Sequence, residues 1–202
     1  MRKTEPLEYG NYYHIYNRGI NSCNLFEETT NYQHFIRLYE QYITPVAKTY
    51  SWVLMKNHFH FLVRIKDKSE FSGQEGDNTT EDTNLPKPHL HFSNLFNAYA
   101  KAFNKRYSRH GSLFERPFKR IVILDEEYLK QVVIYIHNNP VHHGIVKNII
   151  DYPWSSYMSC FSDNPITIQS NSVIKWFKDD VSFKRIHTSK NNLSINDEWL
   201  GI

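Results

Sequence analysis

Hydrophobic and polar positions along this chain switch between two periods. Tyr12–Arg18 alternates in a stretch rich in β-formers and is closed by Gly19, which predicts a first strand. From Thr30 to about Tyr42, residues Phe35, Leu38, Tyr39 and Tyr42 recur at helical spacing with Pro45 just beyond, which predicts an amphipathic helix. Tyr50–Met55 and His58–Ile65 return to strand patterns. Between them Lys56 and Asn57 form a tight turn, because Asn tolerates a left-handed backbone. Leu95, Phe96, Tyr99, Ala102 and Phe103 predict a second amphipathic helix over residues 90–107. Arg120–Leu124 reads as a fourth strand, and Asp125 as the N-cap of a helix over residues 126–139. Glu126 and Glu127 lie where the helix dipole favours acids, and Pro140 is expected to stop the helix. The element order predicts an α+β sandwich, an antiparallel sheet with helices packed on one face.

Two stretches break the pattern. Residues 66–88 scatter Asp67, Glu70, Glu75, Asp77, Glu81 and Asp82 among Ser, Gly, Asn and Thr, as a solvated, flexible insertion would. Residues 162–202 carry one short helical pattern, Val173–Phe177, then a polar end in which no chemistry is evident. The expected organisation is one domain over residues 1–161 and a C-terminal extension over 162–202. Between the last long helix and the extension, the aromatics of Asp151–Tyr157 should pack on the core.

Composition narrows the class. The chain has 202 residues, 40% of them hydrophobic and 15% aromatic, which suits a globular domain with a real core. Two cysteines, Cys23 and Cys160, are too few and too far apart for a disulfide scaffold or a CxxC knuckle, and they are expected as reduced thiols. The first residues lack the apolar run of a signal peptide, and no window approaches the roughly 18 apolar residues of a membrane span. A soluble, cytoplasmic protein with no membrane partner is expected.

The net charge of +3 matters less than where it lies. Lys101, Lys105, Arg106, Arg109, Arg116, Lys119 and Arg120 face a single acid, Glu115, in a stretch interleaved with Tyr107, Phe114 and Phe118. Such a stretch can neutralise phosphates while its aromatics stack on bases, although a solvated charged face has the same composition. The stretch Asn57–Val63 (NHFHFLV) puts His58 and His60 on one side of a strand and Phe59 and Phe61 on the other. Two imidazoles side by side are half of a metal or phosphate site. On the helix ending near Pro140, Gln131, Tyr135 and Asn139 share one face at spacings of four, and Tyr128 falls near it.

Four ordered motifs carry a resemblance: Tyr13–Gly19 (YHIYNRG), Met55–Val63 (MKNHFHFLV), Gly111–Phe118 (GSLFERPF) and Tyr135–Val141 (YIHNNPV), with Trp154–Tyr157 (WSSY) after them. Over roughly residues 9–160 the chain resembles the single-tyrosine HUH transposases, and within them the REP-associated tyrosine transposases. The fold this implies is a ferredoxin- or RRM-like sandwich. The resemblance makes His58 and His60 ligands of Mg²⁺ or Mn²⁺, with Zn²⁺ also compatible with two imidazoles. It makes Tyr135 the nucleophile and places Asn139 where the family often has a Gln ligand. The implied activity is nicking and rejoining of single-stranded DNA beside a hairpin through a 5′-phosphotyrosine, by a bacterial protein acting as a monomer or homodimer. The basic residues from Lys101 to Arg120, with Arg18 and Asn17, are the candidate DNA path. Two other readings fit the residues: a hairpin DNA- or RNA-binding module that does not cut, and a metallohydrolase in which water attacks.

Overall fold

Alternation along the strands decides which side of the sheet each residue serves. The structure, a computed structural model, describes residues 5–71, 85–161 and 168–189. Its four strands, β1 (Tyr12–Arg18), β2 (Ala47–Leu54), β3 (His58–Ile65) and β4 (Lys119–Ile123), form one sheet in the order β2-β3-β1-β4 with every neighbour antiparallel. Helices α1 (Thr29–Ile43) and α2 (Pro88–Arg106) cover one face. There Phe59 and Phe61 of β3 meet Phe35 and Tyr39 of α1 and Phe96 of α2, with ring centroids 4.4 to 5.5 Å apart for the closest pairs. Phe35 and Phe59 are fully buried, and each such side chain contributes about 1.5–3 kcal/mol by leaving water.

Helix α3 (Glu126–His142) lies on the opposite face, against the side of β3 that carries His58 and His60. Its start follows the expected chemistry, since the Asp125 side chain accepts from Tyr128 N–H at 2.7 Å. Its end does not. Pro140 sits inside the helix, which runs on to His142. A proline removes its own N–H bond and crowds the carbonyl four residues before it, but leaves the following N–H groups able to bond, and His143 N–H still donates to Asn139 C=O at 3.0 Å. The Pro140 carbonyl, in the last turn of the helix, accepts from Ile145 N–H at 2.9 Å.

The β2–β3 turn is present, with Met55 N–H donating to His58 C=O at 2.8 Å, but neither Lys56 nor Asn57 is left-handed. Asn57 serves differently: its carbonyl accepts from Gly19 N–H and its side-chain oxygen from His58 Nδ1. The 152–156 segment covers the outer edge of β2, where Leu54 N–H donates to Trp154 C=O and Ser156 N–H to Trp52 C=O, both at 2.9 Å. The other edge, β4, carries Lys119 and Arg120, and charge discourages further pairing there. In the expected insertion Arg64 pins Asp67 and Glu70, and Lys48 also holds Glu70. The remaining acids of that stretch, Glu75, Asp77, Glu81 and Asp82, lie outside the described residues. Both cysteines are free thiols.

The C-terminal part is more than a polar end. Helices α4 (Ser170–Trp176) and α5 (Asp180–His187) return to the domain, and Trp176 stacks on Tyr50 of β2 at 5.0 Å. A buried chain of hydrogen bonds ties α5 to α3. The Phe183 carbonyl can only accept, so His187 carries its proton on Nδ1 (2.8 Å). His187 Nε2 then accepts from His137 Nδ1–H (3.0 Å), and His137 Nε2 from the Ser156 hydroxyl (2.9 Å). The Ser156 oxygen in turn accepts from Trp52 N–H (2.8 Å). Burial holds both imidazoles neutral, pushing the His137 pKa well below its usual range and His187 down to about 4.

Candidate active site

Strand β3 and helix α3 bring the predicted site residues together within one chain. His58 Nε2 stands 3.1 Å from Asn139 Oδ1. The Tyr135 ring is edge-on to His60, with centroids 5.3 Å apart at 88°. Tyr135 and Asn139 reach the same place because a helix sets residues four apart on one face, and His58 and His60 do so because a strand repeats every two. The site is closed: Tyr135 is 2% exposed, His58 7%, and His60 and Asn139 not at all.

The donor set fits a divalent cation. Asn57 Oδ1 can only accept, so the 2.8 Å contact puts the His58 proton on Nδ1. His58 Nε2 faces a second acceptor, Asn139 Oδ1, so it either donates a second N–H there or, with that proton displaced, turns its lone pair toward a cation beside the two atoms. In the second case the two acceptors need positive charge beside them, and ~3 Å is the separation of adjacent ligands around an octahedral ion with ~2.1 Å bonds. Rotating the amide would let Asn139 Nδ2, buried with no hydrogen-bond partner among the described residues, donate to His58, but it would withdraw the oxygen. His60 Nε2 is likewise buried with no hydrogen-bond partner among the described residues. Among those residues no three His, Cys, Asp or Glu side chains are placed to hold a metal ion together, so a third protein donor beside His58 and His60 would be an amide such as Asn139. Burial, with His14, His58 and His143 nearby, keeps the His60 pKa well below its usual range, so it stays neutral as a ligand must.

His14 is the residue that strand patterning alone left unnoticed. Across the ladder Tyr16 pairs with His60 and His14 with Leu62, so His14, Tyr16, His58 and His60 share one face. His14 Nε2 lies 3.0 Å from His60 Nδ1. The signal was present as a second period-two His/aromatic pair in Tyr13–Gly19, but which residues it would face depended on register.

The basic residues divide between the two faces. Arg18 pairs in register with His58, and Lys119 with Tyr16, so both lie on the sheet face that carries the histidines. Arg18 also contacts Ser22 Oγ at 2.8 Å and sits 3.8 Å from Glu115. Arg120 points to the α2 side, its guanidinium 4.1 Å from the Phe118 ring centroid. With Arg116, Asn97, Ser93 and Phe96 it lines an open cavity of about 700 Å³. Lys101 and Lys105 lie on α2. Arg106 at its end is paired with Glu28 at 2.5 Å, and Arg109 donates to Asn104 Oδ1 at 3.1 Å. Phe114 and Phe118, expected to stack on bases, are instead buried against Phe96, 5.3 Å from each. Their burial follows from apolar area, which the α2 side of the sheet can cover and a nucleic-acid path cannot. Tyr107 is half-buried, its hydroxyl donating to Glu28.

A solved REP-associated tyrosine transposase bound to a REP hairpin superposes with a TM-score of 0.61 over 81% of this chain and 87% of that one, at 18% identity. The chain has the fold of a REP-associated tyrosine transposase. A Haemophilus influenzae protein named as a REP-associated tyrosine transposase is 26% identical over 112 residues, which is 54% of this chain and 58% of that protein's length. A bacterial tRNA(His) guanylyltransferase-like protein in complex with ATP superposes more loosely, with a TM-score of 0.40 and 10% identity over 85% of this chain and 75% of that one. No protein-family model matches the chain. No helix among the described residues is long and apolar enough to cross a membrane.

Proposed function

We propose that this protein is a metal-dependent transposase that nicks and rejoins single-stranded DNA beside a hairpin, with Tyr135 as the attacking group. One observation carries the reading: within one chain, Tyr135 stands edge-on to His60 while Asn139 Oδ1 faces His58 Nε2. His58, His60 and Asn139 would hold Mg²⁺ or Mn²⁺. When bound, such an ion polarises a phosphate oxygen and offsets the charge that develops in the transition state.

The remaining chemistry belongs to the chain. A free phenol, with a pKa of about 10, is a weak nucleophile until it is positioned beside its target. As the bond from Tyr135 Oη to phosphorus forms, the bond from phosphorus to the 3′ oxygen breaks. The phenol proton is lost and the departing oxygen gains one, leaving a 5′-phosphotyrosine and a 3′-hydroxyl. One phosphodiester replaces another, so the hydroxyl can reverse the step without ATP. Arg18 and Lys119, on the same face as the histidines, would hold the strand by its phosphates. The REP hairpin bound to the solved neighbour supports hairpin DNA as the partner.

The test is incubation of labelled hairpin DNA bearing a single-stranded flank with Mg²⁺, followed by a denaturing gel. A covalent protein–DNA band is expected, absent in Tyr135→Phe although that variant still binds. A second reading, a hairpin-binding module that does not cut, is favoured by the 2% exposure of Tyr135. It predicts no band with either protein and equal binding by both.

A further inference from the structure

We propose that His14 is a positioning residue for His60: it sets which His60 nitrogen carries the proton, and so whether Nε2 offers a lone pair to a cation. The inference rests on the metal reading above and adds a residue outside the ligand set.

His14 and His60 are fully buried, their rings are 5.1 Å apart and inclined by 28°, and His14 Nε2 lies 3.0 Å from His60 Nδ1. One proton must occupy that contact, since two lone pairs or two N–H groups would repel. Among the described residues neither His14 Nδ1 nor His60 Nε2 has a hydrogen-bond partner. This leaves two arrangements with the same hydrogen-bond count. In one, His60 Nδ1–H donates to His14 Nε2, the outer proton is on His14 Nδ1, and His60 Nε2 has a free lone pair. In the other, His14 Nε2–H donates to His60 Nδ1, and His60 Nε2 carries a proton that blocks a metal.

Each arrangement buries one unmet donor and one unmet acceptor, so hydrogen bonding within the protein does not choose between them. A cation at His60 Nε2 does choose, because it can bind only the first. His14 is what makes that choice possible. Its Nε2 accepts the His60 Nδ1 proton in a place too enclosed for water to take over, and a ligand histidine whose other N–H is satisfied is both oriented and more basic. The register supplies the pair, since His14 lies diagonally across the β1–β3 ladder from His60.

The test uses the full chain, first with Mn²⁺ alone, its free fraction read by electron paramagnetic resonance. Relative to wild type, His14→Leu should weaken Mn²⁺ binding roughly 10- to 100-fold. His14→Gln, whose side-chain oxygen can accept from His60 Nδ1–H, should recover most of the loss. Equal binding by His14→Leu and wild type overturns the proposal and leaves the metal reading standing. No binding by wild type overturns both. A second measurement needs no variant: ¹⁵N-histidine spectra of the wild type saturated with Mg²⁺ should show both His14 and His60 protonated at Nδ1. A proton on His14 Nε2 under those conditions overturns the proposal.

Discussion

His58 Nε2 and Asn139 Oδ1, on residues eighty-one apart in the chain, face each other at 3.1 Å across the gap between a strand and a helix. When His58 is protonated at Nδ1 alone both atoms are acceptors, and such a pair suits a positive charge beside it. Asn139→Ala removes one donor and should weaken Mn²⁺ binding about tenfold or more, while Asn139→Asp, which keeps the oxygen and adds charge, should bind at least as tightly as wild type. Calorimetric titration reads both. Identical affinity for Asn139→Ala and wild type would remove Asn139 from the ligand set. Chelation by EDTA should abolish cleavage and added Mg²⁺ or Mn²⁺ restore it.

The division of the basic residues between two faces separates their expected effects on DNA. Lys119→Ala and Arg116→Ala remove exposed cations and should lower affinity, reducing the slope of log K against log salt by about one unit for each phosphate no longer neutralised. Arg106 already pairs with Glu28, so Arg106→Ala should change that slope less. Filter binding across a salt series is enough, and a larger loss of slope for Arg106→Ala than for Lys119→Ala would reverse the assignment.

His187 predicts how stability depends on pH. It is 2% exposed and is surrounded by Phe177 and Phe183 on its own side, Tyr157 beside it, and His137 of α3. Burial lowers its pKa to about 4, against about 6.5 in an unfolded chain. The unfolded state therefore binds the proton more tightly. The contribution is complete above about pH 6.5 and is lost as pH falls toward 4, by up to ~1.4 kcal/mol per pH unit. Urea unfolding followed through that window should show the decline, and it should be shallower in His187→Gln. An unchanged slope in the variant would mean that other groups carry it.

The aromatic layer under α1 should dominate stability. Phe35 is fully buried and its ring lies within 5.0 to 5.4 Å of Phe26, Phe59 and Tyr99. Phe35→Ala should cost about 3–5 kcal/mol, through lost burial and the cavity left behind. Asp125→Ala, which removes only the cap at the start of α3, should cost about 1 kcal/mol. Chemical denaturation orders the two, and a larger loss at Asp125 would contradict the packing described.

What the sequence determined by itself is what depends on near neighbours along the chain. The strand and helix periods, the shared face of His58 and His60, the four-residue spacing of Tyr135 and Asn139, and the Asp125 cap are all set within a few residues, and each is found in the fold. The motif order carried the family resemblance for the same reason. What only the tertiary structure decided is non-local: that α3 docks on the histidine face while α1 and α2 take the other, that register sets His14 against His60, and that α5 is fastened to α3 through His187 and His137. The continuation of α3 past Pro140 and the burial of Phe114 and Phe118 belong with these, because each depends on what a distant segment covers. Period and capping are properties of one segment, whereas register and docking are settled by the area that two segments bury together. The two histidines share a face by the period of their strand alone, and the fold places helix α3 and His14 against them.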